Sequence, residues 1–172
     1  MLSNVIQNAL NDQINLELYS SYQYLAMSAY CEHLNFRGCA KWLRLQSEEE
    51  RNHAMKLYDF LTARNCLVQL KPIAAPPCEY SSVIEVFEKA LESEESVSQR
   101  IDALYELAFT EKAFAALVEL EWFISEQVEE ERTAREIVAK FVLVKDDPSA
   151  ILDMDRELGT RNAADVPAVA GE

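Results

Sequence analysis

The feature that most constrains the fold is a proline-containing segment of 15 residues, Cys66 to Tyr80, between two long helix-forming stretches. It holds three of the five prolines, and proline removes a backbone donor and biases the preceding residue towards extended conformations. Fully extended, such a segment reaches roughly 50 Å, whereas a helix of about 27 residues is about 40 Å long. The segment can therefore cross a whole helix bundle, which lets the helices before and after it run parallel.

The rest of the chain is rich in helix formers and poor in helix breakers. Of its 172 residues, 3 are glycine and 49% are hydrophobic, which indicates an all-α protein. The length suits a single domain, residues 1–172. We predict helices at about 4–32 and 39–65, from the capping box at Ser82 onward, at about 110–144, and from Pro148, capped by Asp147, to Gly159. The helical core then covers about 4–158, and we expect the tail, 159–172, to be flexible.

Glu50 and His53 stand three residues apart in the second predicted helix, so both side chains lie on one face, one turn apart. The same face carries Leu43 and Leu57, which places the polar pair inside an apolar stripe. A charged group there costs several kcal/mol unless it is compensated. A carboxylate and an imidazole so placed can hold one metal ion together, and we predict that they do.

The same kind of position recurs in every long helix. Each has one carboxylate near mid-length on its apolar face: Glu17, Glu50, Glu94 and Glu130. Glu17 precedes Glu50 by 33 residues, and Glu94 precedes Gln127 by 33 residues. Four such carboxylates would repel one another and raise one another's pKa, whereas two divalent cations would neutralise them. Oxygen-rich ligands with one imidazole suit iron or manganese better than zinc.

The spacing predicts two unequal metal positions. The first ion is predicted to bind three residues: Glu17, Glu50 and His53. The second would share Glu50 as a bridge and use Glu94 and Glu130. Gln127 is neutral, so we expect it to donate a hydrogen bond to bound oxygen or water. We predict that the first ion is held more tightly and that the second is labile.

Glu17, Tyr24, Glu50-x-x-His53, Glu94 and Gln127-x-x-Glu130 together resemble the ferroxidase centre of non-haem bacterial ferritins. The stretches QINLELYSSYQYLAMS and WFISEQVEEE support this resemblance, which covers residues 1 to about 158. It implies a ferritin-like four-helix bundle with one long crossover loop between the second and third helices and a short fifth C-terminal helix. It also implies a homo-oligomeric shell of 24 subunits, in which iron(II) is oxidised by dioxygen or peroxide at a di-iron centre and stored as a ferric mineral.

The resemblance assigns further residues. A third iron site would use four glutamates: Glu49, Glu126, Glu129 and the shared Glu130. Without the resemblance, a solvated glutamate face explains these residues about equally well. Tyr24 could donate a hydrogen bond to Glu50 or supply an electron and a proton, although an inward tyrosine also suits simple packing. Trp122 resembles a tryptophan near the family's centre, where packing is the safer interpretation.

Composition and missing motifs exclude several classes of protein. A net charge of −14 argues against nucleic acid as a partner, and no apolar run approaches membrane-spanning length. The four cysteines form no C-x-x-C pair, and we see no signal peptide, so we expect a cytoplasmic protein. We also expect no haem, since Asn52 stands where bacterioferritins have a haem-ligating methionine.

Two other functions remain open at this stage. The protein could be an acidic cage that buffers iron or another divalent metal without much turnover. It could also be a di-iron oxygenase that acts on an organic substrate, although the closed apolar stripes leave no evident substrate pocket.

Overall fold

The structure, a computed structural model, describes residues 2–165 as a set of helices joined by short turns and one long loop. The elements are, in chain order, α1 (Asn4–His33), α2 (Arg37–Ala63), α3 (Val83–Thr110), α4 (Phe114–Val144), α5 (Pro148–Leu158) and a 3-10 turn (Ala163–Asp165). Residues 2–165 contain no β-strand, which confirms the all-α prediction. Of the predicted flexible tail, residues 166–172 lie outside the described residues.

Two helix starts follow their sequence signals. Ser82 precedes α3, and its hydroxyl accepts a hydrogen bond of 3.1 Å from the backbone N–H of Glu85. Asp147 precedes α5, and its carboxylate accepts a hydrogen bond of 2.9 Å from the N–H of Ser149. Pro148 occupies the first turn, where its missing N–H costs nothing. Each cap satisfies a helix N–H group that has no partner within the helix.

The first three helices end in a left-handed turn at three residues with positive φ: Asn35 (66°), Asn65 (57°) and Lys112 (53°). After α3, Ala113 N–H donates to the Ala108 carbonyl (2.9 Å) and Lys112 N–H to the Phe109 carbonyl (3.1 Å). This is the Schellman pattern. The turn moves the start of α4 to Phe114, later than the predicted residue 110. The break was hidden because lysine, unlike asparagine, seldom adopts this conformation.

Hydrogen bonds between helices fix their directions. Ser21 donates to the Ser47 carbonyl and Ser28 to the Ala40 carbonyl, each at 2.7 Å, so α1 and α2 are antiparallel. Two hydrogen bonds show that α3 is also antiparallel to α1. Ser3, before the start of α1, pairs with Glu111 after the end of α3, and Gln23, later in α1, pairs with Ser93, earlier in α3. Both α2 and α3 are thus antiparallel to α1 and parallel to each other. The prediction that the loop crosses the bundle is confirmed.

Two asparagines of α1 hold the crossover loop. The Asn11 side chain accepts from Gln69 N–H (2.6 Å) and donates to the Leu67 carbonyl (3.2 Å). The Asn15 side chain, one helical turn on, accepts from Lys71 N–H (2.6 Å) and donates to the Gln69 carbonyl (2.9 Å). The amide groups pair with alternate residues of an extended chain, as a neighbouring β-strand would. The loop is therefore ordered without secondary structure of its own.

A band of buried polar residues divides the core of the bundle into two apolar clusters. One cluster, towards the start of α1, includes Ile6, Leu10, Leu57, Ile101 and Leu120. The other, towards its end, includes Met27, Leu43, Phe87 and Phe141, together with Met154 and Leu158 of α5. The band between them holds the carboxylates that the sequence placed on apolar faces, and this is the candidate site.

Candidate metal centre

Three residues of the polar band form a compact set of possible ligands, here called the inner group: Glu17 on α1, and Glu50 and His53 on α2. One ligand atom of each lies within 4.8 Å of the others. Their side chains are almost fully buried, with residue exposures of 1%, 1% and 2%. The structure thus brings together the three residues that the sequence assigned to the first metal ion.

The inner group contains buried polar atoms that the protein does not satisfy. Among the described residues, four such side-chain atoms have no hydrogen-bond partner: Glu17 Oε2, both carboxylate oxygens of Glu50, and His53 Nε2. Native proteins pair nearly all their buried polar atoms, and each exception needs a reason. Carboxylate oxygens without donors, with a nitrogen of the His53 imidazole within 4.8 Å of them, are a suitable ligand set for a divalent cation.

Burial controls the protonation of the inner group in the metal-free protein. It raises the pKa of Glu17 to about 7, although a hydrogen bond of 2.8 Å from the Gln13 amide opposes the shift. Burial, together with the negative charges of the neighbouring carboxylates, raises the pKa of Glu50 well above its usual value. Burial lowers the pKa of His53 to about 4. The imidazole is therefore neutral at physiological pH, which leaves a lone pair available to a metal ion.

Glu94 lies beside the inner group but is held by other partners. Its Oε1 accepts a hydrogen bond from the Tyr24 hydroxyl, and its Oε2 accepts one of 3.2 Å from the Gln127 amide. The hydroxyl of Tyr24 thus donates to Glu94 and not to Glu50, the partner suggested by the sequence. Within the described chain, Glu50, Glu94 and Glu130 do not form a ligand set as close as the inner group. Their assignment to a second metal ion stays a prediction.

A second set of possible ligands, here called the outer group, consists of Glu49, His53, Glu126 and Glu130. One ligand atom of each lies within 4.8 Å of the others. Glu130 also accepts a hydrogen bond of 2.7 Å from the Gln46 amide. Glu129, which the resemblance adds to a third iron site, is exposed and pairs with Arg132 on its own helix. The structure brings three of the four predicted glutamates together and does not bring Glu129 to them.

Sequence reasoning missed one residue of this region, Arg161. Its Nη2 donates to Glu49 Oε2 (2.5 Å), and its Nη1 donates to Gln46 Oε1 (2.7 Å). Its guanidinium carbon lies 4.9 Å from the centre of the Trp42 ring, a cation–π contact. Burial raises the pKa of Glu49 to about 6, and the charge of Arg161 opposes this shift. No sequence signal marks this residue, because it follows a glycine-ended helix in a stretch of mixed polar residues.

Trp122 packs against the imidazole. The centres of the two rings lie 5.4 Å apart at an interplanar angle of 78°, an edge-to-face contact. Lys56 Nζ lies 4.9 Å from the centre of the indole ring. These contacts fix the plane of His53, which agrees with the packing role suggested for Trp122.

The fold and the site together define a class of protein: a four-helix bundle with one long crossover and, in its core, carboxylates and an imidazole that could hold metal ions. Comparison with known proteins gives the family. The family model for the ferritin-like domain matches residues 7–144. The chain is 36% identical to the bacterial non-heme ferritin of Staphylococcus aureus (strain MRSA252), over 94% of this chain and 97% of that protein. The corresponding protein of Staphylococcus haemolyticus is also 36% identical, over 94% and 98%.

Solved structures agree with these relatives. The open-pore ferritin of the archaeon Archaeoglobus fulgidus superposes with a TM-score of 0.93 at 42% identity, covering 94% of this chain and 100% of that chain. A closed form of that ferritin, engineered by site-directed mutagenesis, gives the same TM-score and identity. The chain belongs to the ferritin family, and the ferritin-like bundle with a short fifth helix that the sequence predicted is confirmed. No helix within residues 2–165 is long and apolar enough to cross a membrane.

Proposed function

We propose that this protein stores iron and oxidises iron(II) to iron(III) at a di-iron ferroxidase centre built on the inner group. The observation that carries the proposal is the set of unsatisfied atoms of Glu17, Glu50 and His53. Family membership supports it, and glutamate and histidine ligands of this kind recur in di-iron carboxylate bundles. Iron is substrate and cargo in this scheme, and iron(II) and the oxidant are the two reactants.

The donor set suits both oxidation states of iron. Carboxylate oxygens are hard ligands that stabilise iron(III) more than iron(II), and neutral His53 adds a nitrogen without adding charge. With dioxygen the balance is 2 Fe²⁺ + O₂ + 2 H⁺ → 2 Fe³⁺ + H₂O₂. With peroxide it is 2 Fe²⁺ + H₂O₂ + 2 H⁺ → 2 Fe³⁺ + 2 H₂O. Each iron gives up one electron, so two iron positions supply the pair that either oxidant requires.

The second iron is proposed to bind Glu50, Glu94 and Glu130. Glu94 already accepts hydrogen bonds from Tyr24 and Gln127, so a metal ion must either share this carboxylate with the two donors or exchange with them. This competition fits a labile second position, which suits an ion that must leave after oxidation. The outer group would hold a third iron, with Glu129 joining it only after leaving Arg132. Ferric ions would then pass to a mineral inside a cytoplasmic shell of 24 subunits, without haem and without nucleic acid as a partner.

The experiment is an anaerobic load of two iron(II) per subunit followed by rapid mixing with air-saturated buffer. The ferric absorbance should rise in a fast phase that Glu50→Ala and His53→Ala abolish. Chain-matched controls are Glu48→Ala, an exposed neighbour on α2, and His33→Ala, the other histidine, which is exposed at the end of α1. If the unmodified protein bound iron but showed no fast rise in ferric absorbance, it would be a metal buffer, and the proposed ferroxidase activity would be contradicted.

A further inference from the structure

The segment after α5 places the guanidinium of Arg161 against Glu49, a glutamate of the outer group. Arg161 follows α5, and only 16% of its side chain is exposed. Its guanidinium forms an ion pair with Glu49 and a hydrogen bond to Gln46, both on α2. It also stacks over the ring of Trp42. Three different contacts to one helix fix this side chain far more firmly than a surface ion pair would.

Glu49 is a member of the outer group, and its Oε2 is the atom that Arg161 holds. The outer group is more than a cluster of acidic residues. It includes His53, whose Nε2 is buried and has no hydrogen-bond partner among the described residues. A metal ion that used Glu49 Oε2 would have to share that oxygen with a guanidinium of like charge. Two cations on one carboxylate oxygen repel each other, and the low exposure of the region screens them poorly.

We propose that Arg161 is an internal competitor for metal ions at the outer group: it occupies Glu49 in the metal-free protein and is displaced when a cation binds there. The inference rests on the proposed function only in taking the outer group as a metal site. The positive charge of Arg161 neutralises Glu49 when no metal is present. It therefore stabilises the empty group and weakens the binding of the metal ion that replaces it.

The segment after α5 is anchored in a way that makes such a displacement local. Gly159 packs against Gly38, and its carbonyl accepts a hydrogen bond of 2.9 Å from Lys41 Nζ. Cys39 N–H donates to Asp155 Oδ1 (2.8 Å). None of these contacts involves the outer group. When Arg161 leaves Glu49, these contacts of α5 remain, so the displacement can be confined to the segment that follows Gly159.

Coupling between two sites is reciprocal, which gives two independent readouts. Removing the guanidinium should strengthen metal binding at the outer group. Binding metal should weaken the protection of residues 160–165 against hydrogen exchange. A merely structural role for Arg161 would produce neither effect, since it would leave metal affinity unchanged.

The test uses anaerobic titration with Zn²⁺, which cannot be oxidised, on the full-length protein. Arg161→Ala should tighten the outer-group event by about tenfold, within the usual range for coupled sites. Arg161→Lys should fall between it and the unmodified protein, because a lysine cannot hold Gln46 and Glu49 together. Arg156→Ala is the matched control: Arg156 is an exposed arginine of α5 that pairs with Asp153, away from the outer group, and its substitution should change nothing. Glu126→Gln identifies the outer-group event by weakening it in each background.

Hydrogen exchange supplies the second readout. Saturating Zn²⁺ should raise exchange at residues 160–165 in the unmodified protein, and Glu49→Gln should do so without metal. Equal outer-group affinity in Arg161→Ala, weaker affinity, or no outer-group binding in either protein would overturn the proposal. Hydrogen exchange at residues 160–165 that is the same with and without Zn²⁺ would also overturn it. Failure of the proposed function has a different signature, because it is the lack of a fast ferric phase after loading with iron(II), and the Zn²⁺ titration does not depend on that phase.

Discussion

His53 Nδ1 lies 3.9 Å from Glu50 Oε1, one turn along α2, too far for a hydrogen bond between them. Glu50 nevertheless accepts no hydrogen bond from the described residues, and His53 Nε2 has no partner either. Trp122 and Phe123 meet the imidazole edge to face, with ring centres 5.4 and 6.1 Å away. The pair is therefore held rigidly in a position that satisfies neither residue, which is the arrangement a metal ion requires.

The two inner iron positions should differ in affinity. The unsatisfied atoms of Glu17, Glu50 and His53 have no donor to displace, whereas Glu94 already accepts hydrogen bonds from Tyr24 and Gln127, with which a metal ion must compete. We expect the first position to bind iron(II) at least about tenfold more tightly, or about 1.4 kcal/mol. Anaerobic calorimetry should show two resolved steps.

Single variants assign these two steps. Glu94→Gln should remove the weaker step and leave the stronger one, while Glu17→Gln should do the reverse. If both variants weakened both steps equally, the two positions would be one cooperative unit, and the predicted order of filling would be wrong.

The metal-free protein should lose stability as the pH rises. Glu17 has a folded pKa of about 7 against an ordinary value of 4.5, because it is buried. The folded state thus binds the proton more tightly than the unfolded state. The resulting stability is fully present below pH 4.5 and is lost as the pH rises through 7. Near pH 8, the free energy of unfolding of metal-free Glu17→Gln should therefore exceed that of the unmodified protein by up to about 3 kcal/mol.

Denaturant titrations of metal-free protein at several pH values measure this difference. The gap between Glu17→Gln and the unmodified protein should close towards pH 4.5, and Glu48→Gln, an exposed control, should show no gap. Saturating metal should reverse the order, since the variant lacks a ligand. A gap that did not change with pH would mean that the pKa of Glu17 is the same in the folded and the unfolded protein, and would contradict the shift caused by burial.

The crossover loop should depend on the side chains of Asn11 and Asn15. Each alanine substitution removes two hydrogen bonds to the loop backbone, and we expect a loss of about 1–3 kcal/mol of stability for each. The amides of Gln69 and Lys71 should exchange hydrogen faster in the variants. Asn8→Ala, an exposed asparagine of the same helix, is the control. Unchanged exchange at these two amides would show that packing alone orders the loop.

Gly38 should be essential for docking α5. A Cβ atom at this position would lie 1.7 Å from the carbonyl oxygen of Asp155, so the helix end must move to make room. We expect Gly38→Ala to cost about 1–3 kcal/mol and to displace residues 159–165. Thermal unfolding measures the cost, and hydrogen exchange locates it. Ala63→Gly, at the other end of α2, is the control, and it should leave α5 undisturbed. Exchange at α5 that is the same in Gly38→Ala and the unmodified protein would contradict this docking.

The helices and the inner group could be predicted because helical periodicity fixes which way a side chain faces. An acidic residue within an apolar stripe is conspicuous, and a residue three positions on shares its face. Glu17, Glu50 and His53 follow from this rule alone once the helices are paired. The parallel course of α2 and α3 followed from the length of the loop between them.

Other features depend on contacts that have no local signature. Arg161 reaches Glu49 across 112 residues of sequence, through the docking of α5 on α2. The partners of Glu94 depend on side-chain rotamers, which periodicity does not determine. The end of α3 depends on a left-handed Lys112, a residue type that gives no turn signal. These are the places where tertiary packing overrides local preference.

The central claim is that cations compensate the buried carboxylates of the inner group. The most direct measurement is anomalous diffraction at the iron edge from crystals soaked anaerobically in a ferrous salt. We predict an iron peak bonded to oxygens of Glu17 and Glu50 and to an imidazole nitrogen of His53. The contradicting result is saturating iron with no peak among these residues, and with the two carboxyl groups bonded to each other or to lysine or arginine side chains.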